Sequence, residues 1–156
     1  MRFLVIADFD AVIDRDILYD LIDYPDVVDP LHPTTEEQEF ISEALAKLDL
    51  AERAAIGEAD GFLSSRYNSQ QIFQKTGVDR SSVLLLRITD MTLYHLHGIV
   101  NPKSIPALRA KKYNEALDWF EQVQEGKVNP SDLPKVIDGS KDHILFGSNP
   151  KRDHYV

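Results

Sequence analysis

The chain has 156 residues, with 17 Lys and Arg against 26 Asp and Glu, and a net charge of −9. That length suits one domain with a core large enough to stand without staples, and the absence of cysteine means that it must do so. Disulfides, thiol nucleophiles and zinc–thiolate sites are excluded with it. No run of about 18 apolar residues exists, so no transmembrane helix is expected. The opening Met1 to Asp8 meets acid too soon for a signal-peptide core, so synthesis in the cytoplasm is expected.

The charge is uneven. Residues 1–66 carry 16 acids and 5 bases, a net of −11, whereas residues 67–156 have a net of +2. Asp8, Asp10, Asp14, Asp16, Asp20, Asp23, Asp26 and Asp29 are relieved only by Arg15 within their stretch. Such a surface repels phosphate backbones, which disfavours tight nucleic-acid binding there. It is either a solubilising face or a patch for a basic partner, including the basic part of a neighbouring copy.

In chain order, Phe3–Ile6 is either a short strand or an apolar lead-in to a helix, a run too short for periodicity to decide. Asp8 is the expected N-cap of the turn that follows. Ile17, Leu18, Leu21 and Ile22 space as a short helix, and Pro25, Pro30 and Pro33 then break the chain. Thr34 with Glu37 is a capping-box pattern opening the next helix, whose stripe is Phe40, Ile41, Ala44, Leu45 and Leu48. Asp49 is expected to cap or kink it. A further helix is expected to reach Tyr67, with Leu50, Ala54, Ile56, Ala59, Phe62 and Leu63 inward and Gly57 and Gly61 allowing a close helix contact. Asn68–Gly77 reads as a loop plugged by Ile72 and Phe73.

Asp79 or Ser81 opens a helix that is apolar on most sides from Val83 to Leu96, which marks it as central. Gly98 and Pro102 mark its end. Ser104 is the expected cap of the last helix, with Pro106 in its first turn. Leu108, Tyr113, Ala116, Leu117, Phe120 and Val123 form its stripe, and Gly126 stops it. Prolines and glycines beyond 127 predict an extended tail with at most a short helix near Pro130–Leu133. The expected class is all-α: a small irregular bundle of about five helices over residues 1–130, with a C-terminal tail or arm over 131–156.

Few strings carry chemistry. Leu4 to Ile13, with Asp8-Phe9-Asp10, resembles the first motif of haloacid-dehalogenase-type phosphohydrolases. There the first Asp is the nucleophile and the second a general acid beside Mg²⁺. That fold needs a parallel sheet, and no further strands are predicted here. The alternative for Asp8 and Asp10 is a helix-cap role. Residues 8–23 lack the Gly and Glu of an EF-hand loop. His95 and His97, two apart on a helix, point to nearly opposite sides and do not share a metal easily. Arg87 lies three before Asp90, the spacing of a helix-surface or half-buried ion pair. No metal site and no cofactor is expected. In the tail, Ile144-Leu145-Phe146, with Pro150 and Tyr155 beyond, folds back on its own core or docks on another chain as an arm.

Three stretches together resemble a known group. They are Glu58 to Asn68, Val83 to His97 with Asp90 and Tyr94-His95-Leu96, and Ile105-Pro106 through Tyr113 to Phe120 with Gly126-Lys127-Val128. They resemble, in order and spacing, the Mu-like prophage head-and-neck protein family, which is similar to head–tail connector proteins of tailed phages. Residues 24–48 are longer than in the usual member. The resemblance implies a virion structural protein without catalysis, made in the host cytoplasm. It would assemble with the portal, with tail-side neck proteins and with copies of itself as a ring. DNA would pass through without specific binding, and no membrane would be involved. On this reading Asp14, Asp16, Asp20 and Asp23 form an acidic interface, and Ile144, Leu145, Phe146, Pro150 and Tyr155 form an interface arm.

Overall fold

The computed structural model describes residues 3–26 and 31–136. Within them the chain is all-α. The helices are α1 (Ile6–Phe9), α2 (Arg15–Ile22), α3 (Thr35–Leu63), α4 (Ser69–Phe73), α5 (Ser82–Val100) and α6 (Ala107–Gln124). An isolated antiparallel bridge, Tyr67 to Lys135, is the extended pairing among the described residues.

Phe3 and Leu4 are the apolar lead-in, buried ahead of α1. Asp8 does not cap that turn. It lies inside α1, and its carboxylate reaches back to accept from the Val5 amide at 2.7 Å. The cap of α2 is Asp14, which accepts from the Asp16 amide at 3.2 Å. Leu18 and Ile22 are the buried side of α2, whereas Ile17 is 57% exposed. Asp23 closes the helix in the left-handed region at φ 57°. Lys47 of α3 binds the Asp23 carboxylate at 2.6 Å and the Ile22 carbonyl at 3.3 Å, a cation at a helix C-terminus.

The capping box of α3 forms as its sequence predicts: Glu37 N donates to Thr34 Oγ1 (3.2 Å) and Thr34 N donates to Glu37 Oε2 (2.7 Å). The helix then runs 29 residues without the expected break at Asp49. Ala44, Leu48, Ala51, Ala55, Ala59 and Leu63 recur every three or four residues, so one buried stripe spans both predicted helices. Leu50 and Ala54, expected inward, face out, as does Phe40. Gly57 and Gly61 are exposed too, and a side chain built on either meets nothing within 4 Å. The small residues of the core seam are the alanines, not the glycines.

The predicted plug is the one-turn helix α4, capped by Asn68 and burying Ile72. Helix α5 packs against α1, α2, α3 and α6 and is the centre of the bundle. Ser81 caps it, and the whole run Ile88–Leu93 is buried. Each fully buried Leu or Ile there contributes roughly 1.5–3 kcal/mol relative to exposure. The helix passes Gly98 and ends at Val100 before Pro102. Ser104 does not cap α6; Pro106 occupies the cap position, and Leu108 points outward. Gly126 turns the chain at φ 80°. Arg66 closes that end: its guanidinium donates to the Val123 carbonyl (3.0 Å) and to Asn129 Oδ1 (2.8 Å).

Residues 131–133 form a turn and a bend, not a helix, and bury Leu133. The strand-like return holds the end of α3, with Asn68 N donating to Pro134 O (2.8 Å) and Val136 N to Arg66 O (3.1 Å). The proposed arm residues Ile144, Leu145, Phe146, Pro150 and Tyr155 lie outside the described residues.

Candidate functional site

Asp8 and Asp10 are not brought together as a catalytic pair. Arg80, in the turn before α5, forks onto Asp8 with Nη1 at 2.7 Å and Nη2 at 3.1 Å, and Nη1 also donates to the Phe3 carbonyl at 2.6 Å. Both partners are largely buried. Asp10 instead holds Arg15 through both carboxylate oxygens. The dehalogenase-type motif also needs a strand ahead of its first Asp, and residues 6–9 are helix. Two carboxylates engaged in separate Arg forks, on an all-α frame, do not make that nucleophile and acid.

The four acidic-face residues are all exposed. Asp14 serves the helix cap and Asp23 serves Lys47. Asp16 and Asp20, four apart on α2, share a face with the exposed Ile17 beside them.

The two histidines separate as their spacing predicts. His95 Nε2 lies 3.3 Å from Glu58 Oε1, at ion-pair distance without hydrogen-bond alignment. Tyr113 donates to Glu58 Oε2 at 3.0 Å and stacks on Tyr94 with ring centroids 4.0 Å apart. Burial, and then the Glu58 carboxylate, push the Tyr113 phenol up to about 12. This cluster joins α3, α5 and α6, and it gathers Glu58, Tyr94, His95 and Tyr113 from the three stretches that carried the family resemblance. His97 sits apart, its imidazole held below the ordinary range by burial and by Arg109.

A pocket that sequence reasoning missed lies between the turn after α1 and the facing sides of α5 and α6. Its cavity of about 280 Å³ is lined by Ala11, Val12, Leu86, Arg87, Asp90, Leu108, Arg109 and Lys112. Arg109 Nη2 donates to the Val12 carbonyl at 3.3 Å, which ties the turn to α6. Lys112 pairs with Glu115 at 2.8 Å on the outer side. Asp90 is only 2% exposed. The predicted Arg87–Asp90 pair is not closed through Asp90 Oδ1 or Arg87 Nε, both of which are buried without a partner. Burial raises the Asp90 carboxyl above the ordinary range, against the pull of Lys112, Arg87 and Arg109. Burial likewise lowers Arg109.

The pocket therefore offers three cations against one desolvated carboxylate, with Leu86 and Leu108 exposed at its rim. It continues past Ala11, Val12 and Leu86 into a second, more apolar cavity of about 290 Å³ lined also by Leu85 and Thr89. An anionic group carried on an apolar surface matches this arrangement, since charge-assisted donors and apolar rim face it together. The signal was present in the sequence. Arg87 with Asp90 and Arg109 with Lys112 are two i, i+3 pairs on consecutive helices. Seeing them converge required the register of α5 against α6.

Among the described residues no group of three or more His, Asp or Glu is placed to hold a metal ion. No described helix is long and apolar enough to cross a membrane. Comparison with known proteins gives no significant match to a family model, to a curated protein or to a solved structure.

Proposed function

We propose that this chain is a non-catalytic structural subunit of a phage or prophage head–tail connector, which assembles with the portal and with copies of itself. The observation that carries the reading is that one small helical subunit has both an exposed acidic stripe and a half-buried pocket lined by cations. One is the α2 stripe of Asp16 and Asp20, flanked by Asp14 and Asp23; the other is the pocket of Arg87, Arg109 and Lys112. A ring contact joins one face of a subunit to a different face of the next, and complementary charge fixes its register. The family resemblance of residues 58–130 supports the same reading.

On this reading the subunit is made in the host cytoplasm and resides in the virion, with the portal on one side and tail-side neck proteins on the other. DNA passes through the ring without specific contacts, because an acidic wall does not hold phosphates. Ile144, Leu145, Phe146, Pro150 and Tyr155 serve as an arm that latches a neighbour. Electron microscopy of the protein mixed with its cognate portal tests the assignment. The expected result is an added ring of density at the portal's tail-side face. A strict monomer that ignores the portal overturns it.

A further inference from the structure

We infer that the Arg87–Arg109–Lys112 pocket is the seat for the α2 stripe of a second copy, with an Asp16 or Asp20 carboxylate entering among the cations and Ile17 covering the Leu108 rim. The inference rests on the self-assembling reading above and names the two surfaces that meet. Charge is the first support. The first 66 residues hold a net of −11, and Asp16 and Asp20 are exposed carboxylates without a partner among the described residues. Arg87, Arg109 and Lys112 line one cavity, with Lys112 also paired to Glu115.

Shape and hydrophobicity are the second support. Ile17 is 57% exposed and Leu108 is 58% exposed, two large apolar side chains each set beside its own charged group. Burying them against each other removes apolar area from water while the charges pair at the rim. A helix bearing Asp-Ile-x-x-Asp presents carboxylate, apolar and carboxylate groups along one surface. The pocket wall presents Lys112, Leu108 and Arg109 within five residues of one helix. The buried Asp90 sets the preference. Its carboxylate at the pocket floor disfavours a multiply charged phosphate more than a single carboxylate, because the repulsion grows with ligand charge in a desolvated site.

The cysteine-free chain makes the contact directly testable. Single-thiol variants Asp20→Cys and Leu108→Cys are mixed, alone and on the portal, and treated with a short bis-maleimide. Thermal melts confirm that each variant folds. The expected yield of cross-linked dimer is at least about tenfold above a control mixture of Asp20→Cys with Val78→Cys. Adding Lys112→Glu to the Leu108→Cys chain should cut that yield about tenfold, and adding Asp16→Lys to the Asp20→Cys chain should restore it. A yield at control level both alone and on the portal overturns the inference. So does loss on Lys112→Glu without restoration by Asp16→Lys. If inorganic phosphate raises the melting temperature and cross-linking stays at control level, the pocket belongs to phosphate and the inference fails. Cross-linking without portal binding leaves this contact standing and removes the connector assignment. Portal binding without cross-linking does the reverse.

Discussion

Burying Asp90 among Thr89, Met91 and Thr92 leaves its charge dependent on cations that surround it without closing a hydrogen bond to Oδ1. Because burial raises its folded-state pKa, the native state holds the proton more tightly than the unfolded chain does. The stability linked to that proton is fully present below the unfolded value, near 4, and is lost as pH rises through the raised one. Asp90→Asn removes the ionisation but keeps the shape. The variant should therefore fare best relative to the parent at pH 8, and its relative advantage should shrink toward pH 4. Paired thermal melts across that range measure it; a constant difference would show that the carboxyl is not raised. Asp8 illustrates how far sequence could see at this scale. An Asp at the start of an apolar turn reads as a cap by local rules. Its real partner, Arg80, is 72 residues away, and only the fold supplies it.

At the scale of elements, the start of α3 was legible and its length was not. Thr34 and Glu37 act on backbone groups within one turn, so four residues sufficed to place the cap. Asp49 looked like a boundary because Asp favours caps. The buried series from Ala44 through Ala51 to Leu63 overrode it, and that series was visible only once Leu50 and Ala54 were known to face out. The glycines of α3 and the glycine after α6 make opposite predictions. Gly57 has open space around it in an exposed mid-helix position, so Gly57→Ala should stabilise by roughly 0.5–1 kcal/mol. Gly126 sits at φ 80°, and a side chain there collides with the Arg66 guanidinium. Gly126→Ala should destabilise by about 1–2 kcal/mol, through backbone strain and loss of the Arg66 bonds. Urea denaturation of both variants should shift the midpoint in opposite directions.

For the whole molecule, the bundle class and the central place of α5 followed from composition and from a helix with little polar face. The pocket did not follow, because Arg87, Arg109 and Lys112 meet only through the angle between α5 and α6. The attachment of the N-terminal segment was equally hidden. Arg80 binds Asp8, the Phe3 carbonyl and its own Gly77 carbonyl, and lies over the Phe3 ring. Removing one partner of a largely buried pair leaves the other unpaired, so Arg80→Ala should cost about 3 kcal/mol. Amide exchange at Val5, whose N–H is held by Asp8, should accelerate well before exchange in the Ile88–Leu93 core. Equal acceleration at both sites would mean that the clasp and the core open as one unit.

The Arg66 junction carries a mechanical consequence. The outgoing chain is tied to the α3 end by Asn68 and by the Arg66 carbonyl, while the Arg66 side chain grips the end of α6. Tension applied downstream of Val136 would thus divide between two long helices before it reached the packed interior. Under such a load that knot, and not the packing of the helices behind it, is the first set of contacts to be strained.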